Sequence, residues 1–245
     1  RRSSDLVPHM YALCEDTSVI GTKFYVMEKV DGRVFTDPQL PELSADERRA
    51  AYLDLVSVLA KLHLVNPGDV GLESFGKQGN YYERQISRWS RQYEASKTED
   101  IEAMDKLMEW LPRYIPDSDE TCIVHGDYRL GNVMFAPEAM RIVAVLDWEL
   151  STLGHPLADL GYLCMDFHSG PNAGETSEAE RAGLGIPSEQ EMVDRYCELT
   201  GRDGIENWTF YLVYNMFRSA AIIQGVYKRG LDGNASSSAA LTYKD

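Results

Sequence analysis

The sequence predicts an α+β fold in which a short β region precedes a mainly helical chain. Three observations lead to this prediction: strand-like residues near the N-terminus, amphipathic helical patterns over most of the remainder, and a small cluster of short apolar runs in the middle. With 245 residues, of which 44% are hydrophobic, the chain is long enough to bury a substantial core.

The first predicted element is a β-hairpin between residues 10 and 30. Its strands are expected at MYALC and TKFYVMEKV, which are rich in aromatic and β-branched residues, with EDTSVIG as the turn. A helix is expected from Ser44, because Ser44 and Glu47 form a capping-box pattern and apolar residues then follow at helical spacing.

Helical patterns continue on both sides of the central apolar cluster. Before it, helices are expected from about Tyr82 and after Thr98. After it, they are expected from Pro156, from Ser188 and from about Trp208. The stretch from Ser169 to Pro187 is rich in Gly, Ser, Glu and Pro and is predicted to be a mobile surface loop.

Charge and cysteine usage exclude several classes of function. The formal net charge is -15, which disfavours binding to nucleic acid or to an anionic membrane surface. The four cysteines lie in apolar stretches and form no Cys-x-x-Cys pair, so we expect buried thiols rather than disulfides or a zinc site. No signal peptide or membrane span is apparent, and we expect a cytoplasmic protein.

The residues that indicate chemistry lie between Ile123 and Glu149, in the sequence IVHGDYRLGNVMFAPEAMRIVAVLDWE. If NVMF and IVAVLD pair as a hairpin, Asn132 and Asp147 arrive at the same end and offer two hard oxygen ligands, as Mg²⁺ requires when phosphate and water supply the others. Asp127 lies one loop away and could accept a proton from an attacking hydroxyl or orient that hydroxyl. These are the parts that phosphoryl transfer needs.

Two further residues of this stretch are candidates for the catalytic site. His125 is expected to brace the loop by hydrogen bonds rather than to transfer protons. Arg129 could contact the transferring phosphoryl group, or it could form a salt bridge within the loop, and the residues favour neither alternative.

HGDYRLGN followed by LDWE resembles the catalytic loop and metal-binding motif of the aminoglycoside phosphotransferase and choline kinase-like family. LDWELSTLGHPLADLGY is most similar to a subgroup that includes kinase-like domains fused to acyl-CoA dehydrogenases. The resemblance covers residues 7 to 245 and implies a protein-kinase-like fold, with a partial small β lobe and linker over residues 1–33 and a helical lobe over 34–245. It also implies ATP and Mg²⁺ as cofactors, with Asp127 as catalytic base, Asn132 and Asp147 as metal ligands, and Asp159 steadying the catalytic loop.

The same resemblance assigns FYVMEKVDGR to the linker between the lobes. In kinases the adenine edge bonds to backbone groups of this linker, which here implies the backbones of Glu28 and Val30, with Met27 lining the pocket. The pattern departs from a complete kinase before Met10, where neither a Gly-rich loop nor a strand lysine is found. We therefore expect the sequence to begin partway through the small lobe.

The leading hypothesis is a kinase that transfers the γ-phosphoryl group of ATP to a small-molecule hydroxyl. The acceptor could be an aminoglycoside, an amino alcohol or a hydroxyacyl-CoA. Two alternatives remain open: a non-catalytic nucleotide-binding module, and a metal-dependent hydrolase that uses His125, Asp127 and Asp147.

Overall fold

The structure is a computed structural model that describes residues 6–168, 177–234 and 241. These residues divide into two compact units. The first unit comprises the described residues within Arg1–Val65, His125–Ser151 and Ser169–Gly204, and the second comprises those within Asn66–Val124, Thr152–His168 and Ile205–Asp245.

Short strands and longer helices follow one another along the chain. The strands are β1 (Met10–Cys14), β2 (Phe24–Met27), β3 (Cys122–Val124), β4 (Val133–Phe135), β5 (Ile142–Val145) and β6 (Thr152–Gly154). The helices are α1 (Ala45–His63), α2 (Tyr81–Ser96), α3 (Glu102–Trp110), α4 (Leu157–Cys164), α5 (Glu178–Leu184), α6 (Glu189–Thr200) and α7 (Trp208–Leu231). The predicted N-terminal hairpin, the central strands and the helices on both sides of them are confirmed.

The first unit contains two antiparallel ribbons, β1–β2 and β4–β5, together with helices α1, α5 and α6. Helix α1 begins at the predicted capping box: the Ser44 hydroxyl accepts the Glu47 backbone N–H, and the Glu47 carboxylate accepts the Ser44 N–H. Helix α1 packs against α6, and Arg49 and Glu191 form an ion pair at 2.6 Å between them. The core face of α1 includes Leu55 and Leu59, both fully buried.

The second unit is built on helix α7, which packs against α2 and α4. The ring of Tyr82 contacts three aromatic rings of α7, with centroids 5.0 to 5.6 Å apart. Strand β3 pairs with β6 in an antiparallel ladder, with Ile123 opposite Leu153. No helix among the residues described is long and apolar enough to cross a membrane.

The predicted loop from Ser169 to Pro187 is wrong in its second half, where α5 forms. Ser177 and Glu180 make a capping box, and Gly185 ends the helix in the left-handed conformation. The sequence carried this signal, but the surrounding Gly, Ser and Glu content obscured it. Residues 169–176 of the predicted loop lie outside the described residues.

The structure also shows one strand that was not predicted and one cysteine that is less buried than expected. Strand β6 was not expected, because its three residues show no alternation and exist as a strand only through their pairing with β3. All four cysteines are free thiols, as expected, but Cys14 is only partly buried, since it lies on the exposed ribbon β1–β2.

Candidate functional site

The ribbon β4–β5 brings Asn132 and Asp147 to one end. Val133 lies opposite Val145, and the N–H of Leu146 donates to the Asn132 carbonyl oxygen at 2.8 Å. Asn132 and Leu146 are therefore partners in the ladder, and Asp147 follows immediately. The register brings Asn132 and Asp147 to the same end of the ribbon, and their roles in metal binding remain a prediction.

Asn132 joins Asp127 to this end of the ribbon. Its side-chain nitrogen donates to both the backbone oxygen and the carboxylate Oδ2 of Asp127, at 2.9 and 2.8 Å. Since carboxylate and carbonyl oxygens only accept, these two bonds fix the orientation of the Asn132 amide. Its Oδ1 atom is then the group left to accept or to ligate, and it is a hard oxygen of the kind that Mg²⁺ prefers.

Asp147 has a backbone conformation that is unusual for a residue with a side chain. Its φ and ψ are 62° and 58°, in the left-handed region, and its side chain is exposed. The Trp148 indole N–H donates back to the Val145 carbonyl oxygen at 3.0 Å, which closes the turn. Such strain persists only where the surroundings impose it and is concentrated at functional sites.

His125 is fully buried and both its ring nitrogens meet backbone groups. Nε2 lies 2.8 Å from the Leu146 carbonyl oxygen and must donate to it, while Nδ1 accepts the Asp127 N–H at 3.2 Å. The ring lies beside the Trp148 ring, with centroids 4.9 Å apart. This geometry ties the loop to the end of β5 and supports a bracing role rather than proton transfer or metal ligation.

Arg129 forms a contact with Asp127, Nε to Oδ2, at 3.4 Å. The Arg129 side chain is 53% exposed, so the pair contributes little to stability. The salt bridge within the loop is thus present, and a contact with a phosphoryl group stays a prediction.

The linker residues Met27, Glu28 and Val30 also lie in the first unit. The N–H of Glu28 donates to the His9 carbonyl oxygen at 2.8 Å, so this group is already used by the ribbon β1–β2. Beyond Val30, the linker is fixed to the β4 strand, because Arg33 and Phe135 exchange two backbone hydrogen bonds of 2.8 Å each. The adenine contacts assigned to Glu28 and Val30, and the lining role of Met27, remain predictions.

Three further residues have a structural setting that the sequence did not reveal. The Tyr128 ring is fully buried and its hydroxyl donates to the Leu55 carbonyl oxygen of α1 at 2.9 Å. The Asp54 carboxylate accepts the Ile142 N–H at 2.6 Å. Asp159 is 1% exposed in the first turn of α4, which rules out a solvated helix acid. The described residues include no group of three or more His, Cys, Asp or Glu side chains that could hold a metal ion.

Comparison with known proteins shows which family this chain belongs to. The family model described as the phosphotransferase enzyme family matches residues 2–193. The chain belongs to this family. Acyl-CoA dehydrogenase family member 10 of Mus musculus is 46% identical to this chain over 237 residues, which cover 96% of this chain and 22% of the relative. This chain therefore spans about a fifth of that curated relative's length.

Solved structures of phosphotransferases share the fold. The crystal structure of a candidate aminoglycoside phosphotransferase from Ralstonia eutropha JMP134 has a TM-score of 0.91 and 52% identity, covering 98% of this chain and 74% of that one. A second structure, aminoglycoside phosphotransferase APH(3'')-Id from Streptomyces rimosus in complex with ADP and streptomycin, has a TM-score of 0.58 and 18% identity, covering 88% and 77%. The protein-kinase-like fold, the family and the acyl-CoA dehydrogenase-related subgroup are thus confirmed.

Proposed function

We propose that this chain is an ATP- and Mg²⁺-dependent phosphotransferase that acts on a hydroxyl group of a small molecule. The observation that carries the proposal is the cluster at one end of β4–β5, where Asn132 hydrogen-bonds Asp127 while Asp147 follows the paired residue Leu146. Membership of the phosphotransferase family and the ADP in the Streptomyces rimosus relative support it.

In the proposed reaction, the Asp127 carboxylate receives or orients the acceptor hydroxyl. The Asn132 amide donates to Oδ2 of Asp127, which fixes the plane of the carboxylate and leaves its other oxygen to face the acceptor. Asn132 Oδ1 and the Asp147 carboxylate would hold Mg²⁺, which neutralises charge on the phosphate oxygens when it is bound. Positioning and charge neutralisation of this kind account for most of the catalysis of phosphoryl transfer.

The acceptor class is proposed as an aminoglycoside, an amino alcohol or a hydroxyacyl-CoA. A net charge of -15 suits a cationic acceptor, whereas the acyl-CoA dehydrogenase-related subgroup suits a hydroxyacyl-CoA. The deciding experiment is an ATP-consumption screen of the full-length protein against these three classes, with ADP release as the measured signal.

The assignment of Asp127 predicts a separation of turnover from nucleotide binding. We expect Asp127→Ala to lower kcat by about 10²- to 10⁴-fold, the usual contribution of a general base, with Mg-ATP affinity nearly unchanged by calorimetry. Asp147→Ala should instead weaken Mg-ATP binding. Asp46→Ala, an exposed aspartate in the first turn of α1, is the matched control and should behave as wild type.

Each outcome discriminates among the hypotheses. Wild-type turnover in Asp127→Ala would remove the base assignment. Mg-ATP binding without turnover on any acceptor would favour a non-catalytic nucleotide-binding module. Tight metal binding in the absence of nucleotide would favour the hydrolase, although the two backbone contacts of the His125 ring weigh against His125 as a ligand.

A further inference from the structure

Helix α1 contacts the catalytic loop through a buried tyrosine. The Tyr128 ring is fully buried, and its hydroxyl donates to the carbonyl oxygen of Leu55, itself fully buried in the middle of α1. Leaving a buried hydroxyl without a hydrogen bond is costly, and here the partner is a backbone atom of a 19-residue helix. The position of the ring is therefore fixed by the helix and by the close packing around it.

Tyr128 is adjacent to Asp127 in the chain, so the position of its ring constrains the Asp127 backbone. The other bonds that hold Asp127 come from within the loop: its N–H reaches His125, and its oxygens accept from Asn132. Those bonds set the internal shape of the loop. His125 ties the loop to the end of β5, and the Tyr128 hydroxyl adds a bond to α1, so it contributes to where the loop lies on the first unit.

We propose that Tyr128 is a positioning residue, which places the Asp127 carboxylate toward the acceptor hydroxyl by anchoring the loop to α1. This inference rests on the proposed function and assigns a new residue to its site. Displacement of a reacting group by 1 Å can reduce the rate about a hundredfold, so a small shift of the loop has a measurable effect. The linker and Asp147 are not held by this bond, whereas Asn132 lies in the same loop, so Mg-ATP binding should weaken by less than turnover falls.

The test compares Tyr128→Phe with Tyr52→Phe. Tyr52 lies on α1 itself. Its hydroxyl, like that of Tyr128, donates to a backbone carbonyl oxygen, here that of Pro38, at 2.6 Å. Both variants lose a hydroxyl and the hydrogen bond that it donates to a backbone carbonyl oxygen, and both should lower Tm. Only Tyr128→Phe should lower kcat, by between about tenfold and about a hundredfold, with a smaller effect on the KM for Mg-ATP.

Hydrogen exchange on the full-length protein without nucleotide gives a readout that does not need activity. We expect the amides of Asp127 and Asn132 to exchange about tenfold faster in Tyr128→Phe and at the wild-type rate in Tyr52→Phe. If wild type turns over no acceptor but this difference in exchange is found, the proposed function fails and the anchor stands. Wild-type exchange of the loop in Tyr128→Phe, or a wild-type kcat in an active protein, would overturn the anchor.

Discussion

The two ribbons of the first unit have the same architecture and opposite environments. Both β1–β2 and β4–β5 are two-stranded and antiparallel, and both contain one irregularity of register. In β4–β5 the apolar residues that form its buried set are at most 3% exposed, namely Val133, Phe135, Ile142, Ala144 and Val145. In β1–β2 only Phe24 among the large apolar residues is half-buried, and the others are 42 to 70% exposed, namely Met10, Tyr11, Leu13, Tyr25, Val26 and Met27.

This difference indicates what holds each ribbon in register. In β4 the buried Val133 and Phe135 alternate with the half-buried Met134, so a slip of one residue would move these two side chains to the opposite face, and packing as well as hydrogen bonding fixes the pairing. Arg33 and Asp54 add bonds to it from outside the ribbon. In β1–β2 a slip would change the buried apolar surface little, because most of the large apolar side chains are already exposed. The side chains proposed for chemistry are thus attached to the ribbon whose register is fixed by packing.

Matched glycines in the two regions provide the largest test of this comparison. Gly126 in the catalytic loop and Gly21 in the β1–β2 turn have φ values of 84° and 89°. Alanine at either position adopts a disfavoured left-handed conformation, which costs about 1 to 2 kcal/mol. At Gly126 the new Cβ would also lie 2.5 Å from the Leu150 carbonyl oxygen, whereas at Gly21 nothing lies within 4 Å.

We therefore expect Gly126→Ala to lower the free energy of unfolding by more than about 3 kcal/mol and Gly21→Ala by about 1 kcal/mol. Urea denaturation of the two variants measures the difference. Equal losses of unfolding free energy would mean that the backbone around Leu150 moves to accommodate the new Cβ. The catalytic loop would then be no more rigid than the exposed turn.

Much of the fold was predictable because local signals agree with the structure. The capping boxes at Ser44 and Ser188 begin helices where expected, and both predicted ribbons pair. Burial was not predictable from the same signals. FYVM and VAV are equally strand-like, yet the first is mostly exposed and the second mostly buried, since burial depends on what packs against a strand.

The candidate site was predictable to the extent that it depends on chain neighbours and on one hairpin. Asp127, Asn132 and Asp147 follow from motif spacing and from the ladder. The anchoring contacts of Tyr128 and Asp54 were not predictable, because each joins residues more than 70 positions apart, and no local pattern specifies such a pair. Likewise, the left-handed backbone of Asp147 is imposed by its surroundings rather than by its residue type.

Valine truncations sharpen the comparison between the ribbons with an identical chemical change. Val133 in β4 is fully buried, and Val26 in β2 is 47% exposed. Val133→Ala removes buried methyl groups and leaves a cavity, which should cost about 2 kcal/mol. Val26→Ala should change the free energy of unfolding by less than about 0.5 kcal/mol, as is usual at surfaces. Comparable losses in urea denaturation would show that β1–β2 is held by packing after all.

The smallest predicted effect concerns Asp54, which ties β4–β5 to α1. Burial raises the pKa of its carboxyl above the usual 3.8 and outweighs the opposing effects of the Ile142 N–H, Lys61 and Arg141. The folded protein then binds this proton more tightly than the unfolded chain, so ionisation of Asp54 is a net cost to folding above the raised pKa.

The substitution Asp54→Asn tests this effect, because Asn keeps an oxygen that can accept the Ile142 N–H but does not ionise. Thermal melts should therefore show Asp54→Asn gaining stability relative to wild type as pH rises from 3.8 through the raised pKa. A relative loss over that interval would mean that the ionised carboxylate stabilises the ribbon, and that charge, rather than the hydrogen bond alone, holds β5 against α1.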